Sequence, residues 1–389
     1  MRITLKKIFT KINEWKSLKF SINKASLIKN RIPKECYNLI KEASLAPVTP
    51  VCYVNESQRK SVDGKLPERY IAFLRNAAIV GSSSCLFFDG FLLYDLLIKK
   101  NRKVNITDIG LFRIWNKPIH IGRYYICCYH KIGASIDKGI YIGGNFSGNL
   151  YHYVYEYIIK FYLIQQDAIP LDIPIIVDSS VKRIPQFKEI LDIFTKRTIV
   201  YVDKLEMRKV SLLYYPSFVN AIPPNMSKME TVSTEDVVFD IEAILFLRKK
   251  FMLYIGSSDM KASRKIFISR KVTKWRKYNE AEIMQFLTEM DYEIVYPESM
   301  SYKEQLILFN QASDIVAASG AALTSIICCQ PKTNVTVLIS TKIDLTIFST
   351  IAKTIGVNLK YISGNITNYN NVQSDFKINC QVLRKSIKE

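Results

Sequence analysis

The sequence predicts an α/β fold with two Rossmann-like halves in tandem. Two stretches in which short apolar runs alternate with helical segments predict the halves, and a proline-marked break at Ala221-Ile222-Pro223-Pro224 predicts the join between them. Length agrees, because 389 residues exceed a typical single domain and a 48% hydrophobic content can fill two cores. The resulting division is a basic amphipathic extension over residues 1–68, a first Rossmann-like domain over 69–222 and a second over 223–389.

Up to Glu68 the chain is basic and then turn-rich, with Pro47, Pro50 and Pro67 marking irregular connection. Leu5, Ile8, Ile12 and Trp15 recur at spacings of three and four with lysines between them, the pattern of an amphipathic basic helix. Such a helix either lies on an anionic membrane surface or packs on the first domain with its lysines in water. It lacks the apolar core of a signal peptide and is too charged to span a bilayer. Apolar runs within 77–88 predict strands around Gly81, and 124–129 and 139–142 predict others that feed the Gly143-Gly144-Asn145 turn. A long helix is expected over 150–166, a strand over 173–177, a helix over 186–194 and a strand over 198–202. The second alternation runs helix 236–250, strand 266–269, helix 280–290, strand 293–295, helix 302–310, strand 314–317 and strand 335–339, then helix and strand within 347–362. The longest uncharged run, 315–331, contains Gly320, several Ser and Thr, and Gln330, so a strand followed by a helix start explains it better than a membrane span.

The formal charge of +20 is concentrated. Residues 1–34 carry a net of +9 and residues 248–278 a net of +10, so the remainder is nearly neutral. Eight cysteines include two adjacent pairs and no Cys-x-x-Cys, and only three histidines are present. They read as reduced thiols of a cytoplasmic protein, with no structural metal.

Chemistry concentrates between Arg264 and Ser325. Lys265 to Ser269 is an apolar run of the kind buried in a parallel sheet, and Arg270 and Arg276 follow its carboxyl end, where open α/β sheets receive ligands. Phosphate suits that position, because a guanidinium matches phosphate oxygens with a fixed fork. Ser319-Gly320-Ala321-Ala322 follows a second apolar run, and its small residues, with Thr324, let backbone and a helix amino end approach a phosphate. Asn279 and Glu280 fit a helix amino end, where Asn279 is either a ligand contact or a cap. His152 and Glu156, four apart on one helix, share a face. They form either an acid–base pair or a buried pair tying the helix to the sheet.

The order of these pieces resembles glycosyltransferase family 61. The resemblance rests on Ser269-Arg270, Arg276 with Asn279-Glu280, Glu304-Gln305, Ser319 to Thr324, and Asn149-Leu150-Tyr151-His152 with Glu156, and it spans about residues 143–364. It implies the GT-B fold, with a nucleotide-sugar donor, most simply UDP-linked, held by the second half. Asn149, Arg270, Arg276, Asn279, Glu280, Ser319, Gly320, Ala321, Ala322 and Thr324 would be the substrate-binding positions. Glu156 would be the catalytic base, His152 its partner, and the outcome inversion at the anomeric carbon. The acceptor would be a glycan or lipid-linked saccharide in bacterial capsular or exopolysaccharide synthesis, at the inner membrane face if residues 1–34 dock there. Ser319 departs from the family's usual His, and no Glu follows the strand at 335–339. No Asp-x-Asp occurs, which favours charge stabilisation by arginine over a divalent ion, and no cofactor is expected. Two other readings compete: a catalytically weak scaffold, motivated by Ser319, and a nucleic-acid-binding protein, motivated by the charge and by 23 Tyr and 20 Phe. Against the latter, there is no RNP, KH, zinc-finger or helix-turn-helix pattern, so no nucleic-acid partner is expected.

Overall fold

A computed structural model describes residues 16–21, 25–95, 113–114, 117–118, 120–121, 124–129, 131–223, 233–256, 261–270, 276–340, 346–367 and 374–388. The helix expected at Leu5, Ile8, Ile12 and Trp15 lies outside them, as does the basic stretch 271–275. The chain forms two compact mixed α/β units, the first from residues 1–42 and 68–219, the second from 43–67 and 220–389.

The first unit is built on a ten-stranded mixed sheet. Its long antiparallel centre pairs β1 (Arg69–Val80) with a late strand, Glu206–Pro216, over nine register positions from Met207 opposite Val80 to Pro216 opposite Ile71. β2 (Cys85–Phe88) extends the antiparallel side, and Tyr37–Lys41 pairs with the opposite half of β1. The parallel side consists of β3 (Ile136–Tyr141), β4 (Ile175–Asp178) and β5 (Ile199–Val202), with β6 (Glu206–Pro216) parallel to β3. Helical residues 150–164 connect β3 to β4, and α1 (Pro185–Phe194) connects β4 to β5. Proline opens α1, where its missing N–H goes unused. The alternation of 139–202 thus appears as expected, but half of the sheet is antiparallel. Long β6 alternates buried and partly exposed residues, with Arg208 and Lys209 inside it, so no continuous apolar run announces it. Leu74, Ala77, Ile79, Leu86, Val210 and Leu213 form the centre of the core.

The second unit contains a five-stranded, all-parallel sheet. In chain order its elements are α2 (Ile241–Ile255), β7 (Arg264–Ile268), α3 (Glu280–Thr288), β8 (Glu293–Val295), α4 (Tyr302–Gln311), β9 (Ala312–Ala318), β10 (Asn334–Ile339), α5 (Ile347–Ile355) and β11 (Asn358–Ser363). The spatial order is β8-β7-β9-β10-β11. The chain therefore moves one way from β7 and returns the other way from β9, which makes the gap between those two carboxyl ends a topological switch point. The first helix begins at 241 instead of 236 because Asp240 accepts from the Ala243 amide at 3.1 Å, while Ser233 and Asp236 close a separate 3-10 turn. Ser44–Val48 and Val62–Leu66 form an antiparallel hairpin within this unit. Among the described residues, no helix is long and apolar enough to cross a membrane.

Phe267, fully buried in β7, packs between Ile283 and Leu287 of α3 and the strands beside it. Phe267→Ala is expected to lower unfolding stability by about 3–5 kcal/mol, the scale of a large core truncation, read as a reduced denaturation midpoint at unchanged slope.

Candidate active site

In the first unit the loop after β3 is built around a buried carboxylate. Asp178, at the end of β4, accepts from the Gly144 amide at 2.9 Å and from the Ser82 amide at 2.6 Å. Burial pushes its pKa up, against the pull of Ser147 and the two amides. Gly144 sits at φ +152°, and an added Cβ would lie 2.7 Å from Ser84 Oγ and from Tyr157 Oη. Those two hydroxyls hold the next residue: Ser84 Oγ accepts from the Asn145 amide at 2.9 Å, and Tyr157 donates to the Asn145 carbonyl at 2.5 Å.

The loop feeds the helical run. Asn149 caps its start, accepting from the Tyr151 amide at 3.0 Å. The chain then passes through a π-helical segment, Tyr153–Tyr157, and a 3-10 turn, Ile158–Lys160, before returning to α-helix. Glu156 lies inside that π segment, an irregularity frequent at functional sites. His152 Nδ1 and Glu156 Oε1 are 2.6 Å apart, with the side chains 25% and 13% exposed. Burial alone would lower the His152 pKa, but the charge and hydrogen bond of Glu156 outweigh it and leave the imidazole above its ordinary value. Phe146 stacks on the His152 ring at 5.1 Å, and Tyr151 meets it edge-on at 5.3 Å. One turn beyond Glu156, Lys160 is fully buried. Its Nζ has no hydrogen-bond partner among the described residues and lies 4.6 Å from the Tyr215 ring centre and 4.5 Å from that of Phe218. Burial brings its pKa down to about 8, against the charges of Asp95 and Glu156.

In the second unit the switch point collects the other candidates. Ser269 Oγ and the Arg270 amide both donate to Glu280 Oε1 at 2.6 Å, so Glu280 ties the end of β7 to the start of α3. Arg276, at φ +58°, donates from Nη1 to the Ser319 carbonyl at 2.9 Å and so ties the approach to α3 to the end of β9. Arg270 Nη1 and Arg276 Nε are buried without hydrogen-bond partners among the described residues. Burial, with the Arg270 charge adding to it, lowers the Arg276 pKa to about 10. Burial also lowers that of Arg270, against Tyr278 and Glu280.

The remaining sequence-derived positions divide. Gly320 is extended, at φ 175°, and a Cβ there would meet only Ala318 O at 3.8 Å and Arg276 Nη2 at 4.0 Å, so the backbone beside Arg276 is open. Ala321 and Ala322 begin a 3-10 turn there and are half-buried. Thr324 is fully buried and donates to the Ala321 carbonyl at 2.6 Å, which stiffens that turn. Asn279 makes no side-chain cap: its Oδ1 accepts from the Ile378 amide at 2.8 Å and its Nδ2 donates to Glu282 and to the Ile378 carbonyl. Glu304 closes a capping box with Ser301, and buried Gln305 donates to the Pro297 carbonyl at 2.8 Å. Sequence reasoning passed over Asp178, Phe146 and Lys160. The signals present were an Asp ending an apolar strand and a Lys inside an apolar helical run.

The half-buried arginines Arg270 and Arg276 at the switch point and the His152–Glu156 pair on a distorted helix are the charged groups gathered at these two places. By its family match the chain is a glycosyltransferase. The family it resembles by sequence is Glycosyltransferase 61, matched over residues 150–336, from the start of the His152 helix to the middle of β10. No curated protein matches the chain.

Glu156→Gln is expected to drop the His152 pKa below its ordinary value of about 6.5, because burial then acts without an opposing charge. In the parent, the pair's contribution to stability is complete below pH about 6.5 and is lost as pH rises through the elevated folded value. With only three histidines in the chain, an NMR titration resolves His152, and an unmoved midpoint would show the pair to be absent in solution.

Proposed function

We propose that the chain is an inverting, metal-independent glycosyltransferase of GT-B arrangement that moves a sugar from a nucleotide-sugar, most simply a UDP-sugar, to a glycan or lipid-linked saccharide in surface-polysaccharide synthesis. The observation that carries it is the arginine pair. Two half-buried guanidinium groups, near enough for one to depress the other's pKa, and each with a buried nitrogen lacking a partner among the described residues, favour an anion between them. A diphosphate fits the fork geometry of both, and the open backbone at Gly320 lets its oxygens approach.

Glu156 acts as the base. Its carboxylate takes the acceptor hydroxyl's proton as the oxygen attacks the anomeric carbon on the face opposite the departing diphosphate. The bond to the nucleotide breaks, Arg270 and Arg276 stabilise the released charge, and a single displacement inverts the centre. His152 fixes the carboxylate's orientation through the 2.6 Å bond. Glu280 acts indirectly, by presenting the Arg270 amide and side chain. The proposed location is the cytoplasm, at the inner membrane face if residues 1–34 dock there.

Glu156→Gln should lower turnover by roughly a hundredfold or more while UDP affinity persists, whereas Arg270→Ala should weaken UDP binding by about 1.5–3 kcal/mol and also slow transfer. Calorimetry with UDP beside transfer rates separates the two, and normal turnover by the first variant or normal UDP affinity in the second removes that residue from its role. Transfer should persist in EDTA, since two arginines supply the charge that a divalent ion would otherwise provide; loss in EDTA with recovery in Mn²⁺ would overturn the metal-independent reading.

A further inference from the structure

Phe146 is exposed to 42%, although a ring of its size is ordinarily covered, and its backbone is left-handed at φ +62°, a conformation strained for a bulky side chain. The loop that carries it is not loose. Asp178 pins Gly144, Ser84 and Tyr157 pin Asn145, and the Asn149 amide donates to the Phe146 carbonyl at 2.8 Å. One face of the ring lies on His152 at 5.1 Å with 27° between the planes, and the uncovered side is open to solvent. The fold thus holds a strained aromatic ring beside the partly exposed His152–Glu156 pair without burying it.

We propose that Phe146 is a stacking platform for the acceptor sugar. A pyranose offers what this surface lacks: an apolar face of axial C–H groups to cover the ring, and a rim of hydroxyls within the range of His152 and Glu156. A nucleobase could also stack on phenylalanine, but the anion-binding groups lie at the ends of β7 and β9, and the ring lies beside the base that must deprotonate an acceptor hydroxyl. Phe146 therefore selects acceptors with an unbroken apolar ring face. The assignment rests on the glycosyltransferase reading given above for its acceptor role, but sugar binding by the ring is measurable without turnover.

The test uses the full chain, Phe146→Gly and Phe146→Trp, with methyl β-D-glucopyranoside and methyl β-D-galactopyranoside as probes. Glycine suits a left-handed backbone, so Phe146→Gly relieves strain and is expected to fold at least as stably as the parent. Saturation of aromatic protons in the parent should transfer chiefly to H1, H3 and H5 of the probes. That transfer should fall about threefold or more in Phe146→Gly, the scale of a lost stacking contact, and survive in Phe146→Trp. UDP affinity in Phe146→Gly should stay within about twofold of the parent. Unchanged transfer in Phe146→Gly, or no transfer to either probe from the parent, overturns the proposal. So does a tenfold loss of UDP affinity, which would assign the ring to the nucleotide, and so does a lost sugar signal accompanied by a shifted His152 midpoint, which would make the ring only a prop for the imidazole. Absence of sugar transfer from any nucleotide-sugar, with the probe signals intact, would count against the glycosyltransferase reading alone.

Discussion

Half-burying two guanidinium groups near one another beside the end of a parallel sheet is electrostatically unfavourable, and the surrounding contacts hold them there. Removing one such ion from water costs several kcal/mol even after relaxation, and a like-charged neighbour adds to that. Among the described residues, the carboxylate acting on Arg270 is Glu280, and it is engaged by Ser269 and the Arg270 amide. Burial lowers both arginine pKa values, and Arg276, lowered to about 10, remains charged at neutral pH. What holds the charges in place is the framework: Arg276 anchored to the Ser319 carbonyl, Thr324 stiffening the following turn, and β7 buried on both sides.

The first unit follows the same logic with different means. Asp178 is a buried carboxylate whose partners are mostly amides, so its charge organises backbone and is not matched by a salt bridge. It fixes Gly144 where no side chain fits, and from there the chain can present Phe146 and enter the helix at Asn149. The π segment then sets Glu156 against His152. Lys160 completes a run of three ionisable residues along the helix. Its ammonium is stabilised by the faces of Tyr215 and Phe218 in place of hydrogen bonds.

Legibility in the sequence followed local periodicity. The inner strands β7, β9 and β10 are mostly buried, and all five strands read as short apolar runs separated by helical segments, so their positions along the chain could be read directly. The antiparallel half of the first sheet could not. β1 and β6 pair across more than a hundred residues, and β6 carries charges on its partly exposed positions. The hairpin of Ser44–Val48 with Val62–Leu66 was hidden by Pro47, which a two-stranded edge tolerates and a central strand does not. His152 with Glu156, and Arg270 with Arg276, could be identified because residue type and short spacing carry them. Phe146 could not be, since its meaning lies in a backbone angle and in exposure, neither of which an aromatic residue signals by itself. Asn279, Glu304 and Gln305 show the converse. Their motif-like spacing is real, yet in the structure their side chains bind backbone or close a capping box, which secures the helices that frame the arginines.

On the proposed reading, the two units separate two electrostatic tasks that would interfere if placed on one element. An anion site needs uncompensated positive charge, whereas a general base needs a carboxylate that is oriented but still able to accept a proton. Had the base been set at the carboxyl end of β7, it would have paired with Arg270 and lost its basicity, as Glu280 is already occupied by the Ser269 hydroxyl and the Arg270 amide. Placing Glu156 on a helix of the other unit, with a histidine whose charge is adjustable near neutral pH, keeps the carboxylate oriented without binding it to a permanent cation. On that reading the strained loop at Phe146 and the arginine pair at Arg270 and Arg276 are two expressions of one constraint: each unit keeps a surface, incompletely satisfied among the described residues, for a substrate to complete.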